Sequence, residues 1–375
     1  MIYEKKAPSI LLVGVGGAGC RIIESMNITS LNVSSVVIVD TDASTLTDSP
    51  VPIKVQIGLS RLNGKSTGGD VELGRICAEE DIEKIRQIMS NTEAVFIVAG
   101  LGGGTGTGAL PVVLNAARDA DASIVCFATL PFKFEGEKRS ECARQSLEQI
   151  RNSADGLVII PNDKLFESVA TMNMKDAFRQ ADVAIGSAIH TFWKVFVQPA
   201  YLQLGIAELR RFLRHGRGGF FLGIGEGTGE EKVEEAFRTM KLWFIGEETN
   251  LLARAASVLA AVVGGEDMTL RETGKIMDLL HSSISPACRV FSGTSVDSAW
   301  NGRVSIAILG CEGWSDDTLS LERKISMHQA QLKLEMKKGR FEGVAPTLVD
   351  GEDLDIPTFI RRGVNIEKIN SSRRE

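Results

Sequence analysis

The chain is short of several things, and each shortage removes a class of function. Its formal net charge is −6, and no stretch gathers lysine and arginine densely enough to make a nucleic-acid face. No apolar run approaches the roughly 20 residues needed to span a bilayer. The opening Met1-Ile2-Tyr3-Glu4-Lys5-Lys6 lacks the apolar stretch of a signal peptide, so the expected compartment is the cytosol. Six cysteines (Cys20, Cys77, Cys126, Cys142, Cys288 and Cys311) are scattered, and none forms a C-x-x-C pair. In a reducing compartment they read as small buried residues, neither disulfides nor metal ligands. His190, His215, His281 and His328 are equally isolated, so no metal site is expected.

What is present suits a large folded core: 375 residues, 43% hydrophobic and 24% charged. Short apolar runs at 9–13, 35–39, 94–99, 123–128 and 156–160 alternate with helical stretches at 71–89, 109–119 and 138–152. Such alternation predicts βαβ units: an α/β fold with a Rossmann-like parallel sheet covered on both faces. Ligands in such sheets bind at the carboxyl ends of the strands. A long helix over 175–197 ends before Pro199. A second, smaller αβ region follows from about 219 to 313, with strands at 220–224 and 304–309 and helices at 230–241 and 269–281. Beyond Trp314 the pattern loosens, leaving a charged helical stretch at 319–338, a turn-rich stretch and a short tail.

Two glycine-rich loops fall at the carboxyl edge of the expected sheet. The first, Gly14-Val15-Gly16-Gly17-Ala18-Gly19, matches G-x-G-x-x-G, with Asp40 about twenty residues on. Glycines let backbone approach phosphate, and the next helix aims its N-terminal amides at the anion. The same residues also fit a tight strand-to-helix turn with no ligand. The second loop, Ala99-Gly100-Leu101-Gly102-Gly103-Gly104-Thr105-Gly106-Thr107-Gly108, changes the balance. Each helical glycine costs near 1 kcal/mol, and a nest of amide donors for phosphate would offset that cost. The hydroxyls of Thr105 and Thr107 suit phosphate oxygens or a metal. Two such loops on one edge fit a triphosphate better than a dinucleotide. A nicotinamide-dependent oxidoreductase would rest on the first loop and Asp40 alone.

Gly102-Gly103-Gly104-Thr105-Gly106-Thr107-Gly108 resembles the defining motif of the tubulin/FtsZ superfamily. Asp40-Thr41-Asp42-Ala43, Gly68-Gly69-Asp70, the segment Thr129 to Arg139, Pro161-Asn162-Asp163 and Phe178 to Asp182 are similar to its further nucleotide segments. The resemblance covers roughly residues 9 to 313 plus the tail. It implies a GTP-binding domain over 1–174, a central helix and catalytic loop over 175–205, and a C-terminal α/β domain over 206–314. A partly helical linker over 315–351 and an adaptor-binding tail over 352–375 complete the expected organisation. It further implies GTP or GDP as ligand, Mg²⁺ as its companion, and head-to-tail self-assembly. Carried over residue by residue, Gly16, Gly17, Ala18, Gly19, Cys20, Arg21, Gly103, Gly104, Thr105, Gly106 and Thr107 would surround the phosphates. Asp42, Gly68, Gly69 and Asp70 would add the second and third loops. Thr129, Pro131, Glu135, Arg139 and Asn162 would hold the ribose and neighbouring groups. Phe178 would stack on the base, and Asp182 would accept from guanine N1–H and the exocyclic amino group. Core packing for Phe178, a surface charge for Asp182 and an i,i+4 ion pair for Glu135 and Arg139 remain the alternatives.

The chain departs from the family in the loop after the central helix, which resembles Asn-x-Asp-x-x-Asp and closes over the next subunit's nucleotide. Here Gln203 stands for the Asn, Gly205 for the first Asp and Glu208 for the second. Gly205 has no group with which to position water, and losing one such group costs ~10²–10⁴-fold in rate. The expectation is GTP binding and polymerisation with slow hydrolysis, carried by Gln203 and Glu208. Arg21, where the family usually has Asn, either tightens nucleotide binding or faces solvent. The segment with Asp355, Ile356, Pro357, Phe359 and Arg361 resembles the family's C-terminal peptide, which docks on membrane-tethering division adaptors.

Overall fold

A computed structural model describes residues 9–26, 35–163, 173–198, 200–216, 219–243 and 251–312, with short strands at 348–349 and 352–353. The chain divides into two units, residues 1–314 and 315–375. In the second, β12 (Leu348–Val349) and β13 (Glu352–Asp353) pair antiparallel. The expected charged helix at 319–338 and the tail residues Asp355, Ile356, Pro357, Phe359 and Arg361 lie outside the described residues.

The first unit is built on one sheet. Its strands are β1 (Ile10–Val15), β2 (Val36–Asp40), β3 (Ile53–Gln56), β4 (Ala94–Gly100), β5 (Ser123–Leu130), β6 (Gly156–Pro161), β7 (Ala200–Leu202), β8 (Phe220–Thr228), β9 (Ala255–Gly264), β10 (Arg289–Val296) and β11 (Arg303–Glu312). Their spatial order is β3-β2-β1-β4-β5-β6-β8-β11-β9-β10-β7. From β3 to β6 every pairing is parallel, whereas β11 runs antiparallel to both β8 and β9. A single parallel register pair, Val158 with Phe220, joins the two halves through β6 and β8.

The helices are α1 (Gly16–Ser25), α2 (Ala43–Asp48), α3 (Leu59–Leu62), α4 (Val71–Glu80), α5 (Ile82–Met89), α6 (Gly104–Asp119), α7 (Glu137–Ile150), α8 (Met174–Val197), α9 (Ile206–His215), α10 (Lys232–Leu242) and α11 (Leu270–Ser283). The stretch expected as one helix over 71–89 is two, broken at Asp81. Its backbone leaves the helical region there (φ −103°, ψ 22°) and its carboxylate accepts from Gly58 N at 2.7 Å. Helix α6 starts at Gly104 rather than 109, so half the glycine loop is the helix itself. Gly14 and Val15, expected in the first loop, belong to β1. Strands β9 and β10 and helix α9 have no counterpart in the elements expected from the sequence. β9 reads Ala-Ala-Ser-Val-Leu-Ala-Ala-Val-Val-Gly, an apolar run whose alanines suit helix and strand alike.

Burial explains the unbroken apolar runs. Along β1, Ile10 and Leu12 join a core with α1 and α8, while Leu11, Val13 and Val15 join another with α5 and α6. A strand covered on both faces cannot alternate with polar residues. The α8 core is shared by both halves: Ile185, Ile189, Phe192, Trp193 and Phe196 pack with Phe96 and Phe127 on one side and Leu259, Val263 and Leu309 on the other. Each such side chain stabilises by about 1.5–3 kcal/mol. A third core sets α10 and α11 on the opposite face of β8, β9 and β11. Cys20, Cys77, Cys126 and Cys311 are buried, and Cys142 and Cys288 partly so. Among the described residues, no helix is long and apolar enough to cross a membrane.

Candidate functional site

The carboxyl ends of β1, β2, β4, β5 and β6 open into a cleft of about 320 Å³, within the range of small-molecule sites. Its floor is backbone. Gly17, Ala18 and Arg21 come from the start of α1, and Gly103, Gly104, Thr105 and Gly106 from the start of α6. Gly103 has nothing within 4 Å of where a Cβ would stand, so its backbone is open to a ligand. Both helices begin here without a side-chain cap, leaving amide donors for an anion. Asp42, Gly68 and Gly69 line one wall, and Thr129, Pro131, Glu135, Arg139, Asn162 and Phe178 the other.

Other expected residues have different work. Gly16 turns the chain from strand to helix at φ +71°, with Gly106 N 2.6 Å from its Cβ position. Gly19 lets α1 lie against the Val98 carbonyl of β4. Cys20 is a fully buried core residue whose thiol is pushed up by burial. Asp70 caps α4, accepting from Leu73 N at 3.0 Å. Thr107 Oγ1 accepts from Gly102 N at 2.9 Å and so fixes the loop rather than facing the cleft. None of these lines the cleft, because their side chains or missing side chains are consumed in holding the loops together.

Glu135 and Arg139 do form the i,i+4 pair, at 2.6 Å, and they form it on the cleft wall. Glu135 also accepts from Phe132 N at 3.0 Å, fixing the turn before α7. Phe178 meets Phe132 edge-on, with centroids 4.8 Å apart and planes at 86°, and Phe134 likewise at 6.0 Å. It is therefore both a packing residue and part of the cleft wall. Asp182 lies one turn further along α8 and does not line the cleft; its Oδ2 accepts from Arg21 Nε at 3.2 Å. Burial pushes its carboxyl up, Arg21 pulls it back, and Glu24 adds to the push.

The sequence reading passed over Thr45, Ser66 and Thr67, which also line the cleft. Ser66 and Thr67 stand directly before Gly68-Gly69, and hydroxyls beside a glycine turn were the available signal. Asp40, expected in the fingerprint and in the segment from Asp40 to Ala43, is buried against the cleft, and burial raises its carboxyl. Thr41 and Thr105 share a 2.9 Å hydroxyl bond that ties β2 to the start of α6. The Asp40 and Asp42 carboxylates beside the glycine loop are the donor type that suits a magnesium ion carried on phosphates.

Gln203 and Glu208 are far from this cleft. Phe178 lies near the first turn of α8 and Val197 at its end, a separation of roughly 29 Å at 1.5 Å per residue. Gln203 is exposed. Glu208 reaches back over the start of α9, where its Oε2 accepts from Gly205 N at 3.0 Å. The carboxylate expected to position water here caps a helix, and neither residue can reach the cleft of its own subunit.

Two family models match the chain: the GTPase domain of the Tubulin/FtsZ family over residues 9–170, and the C-terminal domain of the FtsZ family over residues 218–312. The cell division protein FtsZ of Aquifex aeolicus is 33% identical over 361 residues, spanning 94% of this chain and 96% of that one. A solved empty FtsZ dimer from M. jannaschii is 30% identical, with TM-score 0.74, 82% of this chain covered and 89% of that one. The GTPgS-bound protofilament of CetZ2 from Haloferax volcanii shares the fold, with TM-score 0.64, 22% identity, and 86% and 99% of the two chains covered.

Proposed function

The chain belongs to the Tubulin/FtsZ family, and from that premise we propose that it binds GTP in the cleft and assembles head to tail into cytoskeletal filaments. The observation that carries this is convergence. Segments 17–21, 42–45, 66–69, 100–106, 129–139, 162 and 178 come from distant parts of the sequence and meet around one cavity at the carboxyl edge of the sheet. Backbone amides there suit a phosphate chain, and the Phe178 ring suits a base. Mg²⁺ accompanies the triphosphate, beside Asp40 and Asp42.

Hydrolysis requires a second subunit. Gln203 and Glu208 sit beyond the far end of α8, so they act on the nucleotide of the next subunit and not on their own. The position of Gly205 brings no carboxylate, and Glu208 must give up its bond to Gly205 N to serve. The filament therefore turns over slowly. The role is division of the ring-forming type, in the cytoplasm beneath the membrane, with Asp355, Ile356, Pro357, Phe359 and Arg361 presented to a tethering adaptor. The engaged Glu208 also favours a second reading, a filament scaffold outside division that scarcely hydrolyses.

Purified full-length protein tests this. The expected result is bound guanine nucleotide by mass and pelleting with GTP but not GDP. Phosphate release should rise with protein concentration, at a rate per subunit about 10²-fold below a relative with both acids. A protein that stays monomeric at high concentration with no affinity for guanine nucleotides overturns the proposal. Deleting 352–375 separates the two readings: loss of filaments from the division site supports the first, and unchanged placement supports the scaffold.

A further inference from the structure

Arg21 is placed where two parts of the cleft can be joined by one side chain. It lines the cavity from α1, and its Nη1 lies 3.9 Å from where a Cβ would stand on Gly17. Its Nε reaches across to α8 and donates to Asp182 Oδ2 at 3.2 Å. The guanidinium thus spans from the first glycine loop to the carboxylate beside the base end of the cleft. The Asp182 side chain is 14% exposed and that of Arg21 52%.

The helices are pressed together at this point. The Cβ position of Gly186, one turn beyond Asp182, lies 2.5 Å from Ser25 Oγ. Ser25 Oγ shares its proton between the Ile22 carbonyl of its own helix, at 2.6 Å, and the Asp182 carbonyl, at 2.9 Å. Helix α1 therefore meets Asp182 twice, at its backbone beside Ser25 and at its carboxylate through Arg21. The single contact from Arg21 Nε anchors one carboxylate oxygen, and leaves lone pairs on both oxygens for further donors.

We propose that Arg21 is the positioning residue for base recognition, orienting the Asp182 carboxylate so that a base edge with two adjacent N–H donors, as in guanine, is accepted and the adenine edge is refused. This rests on the guanine-nucleotide reading above. Arg21 acts through Asp182 and need not touch the base. Its second effect is on charge. Among the described residues, the charged groups acting on the Asp182 carboxyl are Arg21, which holds it down, and Glu24, which pushes it up, both from α1. Without Arg21, burial and Glu24 are unopposed. A protonated carboxyl offers a donor where guanine needs a second acceptor, so base discrimination fails as pH falls.

The experiment compares affinities for GTP and ATP from about pH 5.5 to about pH 8 in wild type, Arg21→Ala, Arg21→Lys and Glu24→Gln, with full-length protein. In Arg21→Ala the GTP preference should fall by about tenfold, and its loss should titrate above the wild-type midpoint. Arg21→Lys keeps the charge without the planar fork, so its midpoint should return toward wild type while the preference stays reduced. Glu24→Gln should move the midpoint down. An Arg21→Ala profile that superimposes on wild type overturns the proposal. So does a GTP loss that is uniform in pH and equal for ATP, which is what a merely structural role gives. If Arg21→Ala does not fold, a Glu24→Gln midpoint that stays put or rises overturns it alone. Wild-type protein with no preference for GTP defeats the guanine reading itself, a different outcome from any of these.

Discussion

Helix α8 has two ends of opposite character. Its first turns bring Phe178 to a polar, open cleft and place Asp182 beside it, on loops that use backbone amides and small residues. Its last turns carry ionisable side chains into the core: Lys194 is 1% exposed and paired with Asp297 of the segment after β10, and His190 is one turn away. At the near end, polar groups are left for something to occupy them. At the far end they are consumed by one another, and removing one partner of a buried pair typically costs 3–5 kcal/mol. The near end is built to admit a ligand and the far end to keep α8 rigid against the second half of the sheet. Segment 203–208, which the proposed function assigns to the neighbouring subunit, follows that rigid end.

The contrast is broken most severely in the glycine loop, where neighbouring glycines serve different ends. The Cβ position of Gly108 is already filled by the Val71 carbonyl of α4, and Arg75 N is 2.6 Å away. Both are backbone and cannot yield. Gly103, at φ −92°, has open space. Gly108→Leu is expected to lower stability by about 3 kcal/mol or more, read as a lower urea midpoint, and to abolish nucleotide binding with it. Gly103→Ala is expected to leave the midpoint within about 0.5 kcal/mol while weakening GTP binding about tenfold or more. Equal loss of stability in both would mean that the loop is a packing device throughout.

Those two glycines also show how far sequence carries. A motif written into consecutive residues announces a phosphate loop, and the alternation of apolar runs announces the parallel half of the sheet. Neither says which glycine faces ligand and which faces α4, because that depends on a helix more than thirty residues earlier. Cys20 and Thr107 were expected at the phosphates for the same reason: adjacency in sequence stood in for direction in space. The pairing of Arg21 with Asp182 joins residues 161 apart and leaves no local pattern. Helix α9 was missed because Leu-Gly-Ile-Ala-Glu reads as the continuation of a loop. Only its cap, Glu208 on Gly205 N, marks the start.

The far end is sharpened by pH. His190 is pushed down to about 4 from its ordinary 6.5, first by burial and then by the Lys194 charge, against a smaller pull from Asp297. A histidine held neutral in the folded state contributes its stability above the unfolded value and loses it as pH falls. From about pH 6.5 to about pH 4.5, guanidinium unfolding should therefore show a loss of about 2 kcal/mol that His190→Gln largely removes. Asp297 is held below the usual carboxylate range by Lys194, so its own contribution is lost only at still lower pH. A wild-type profile flat through this window would mean that the far end is hydrated and mobile enough to charge His190, and the contrast with the cleft would vanish.

The smallest expected effect lies just past the rigid end, at the segment proposed to meet the next subunit. A side chain at Gly205 starts 3.0 Å from Glu208 Oε2, and the backbone there is already extended, φ −109° and ψ 174°. Gly205→Asp therefore fits without strain, and aspartate is among the preferred helix N-caps. The new carboxylate accepts from the N–H groups of the first turn of α9, a different donor from the Gly205 N–H held by Glu208, and its charge repels the Glu208 carboxylate at that distance. Repulsion loosens Glu208 from Gly205 N as a second acid arrives, so under the proposed function both groups assigned to position water become available together. Phosphate release per subunit should rise about tenfold or more, with α9 no less stable by thermal unfolding. Gly205→Asn supplies the cap without the charge and should recover little of that rate. If Asp and Asn behave alike, freeing Glu208 is the whole effect. If neither raises turnover, slow hydrolysis is set elsewhere in the contact between subunits.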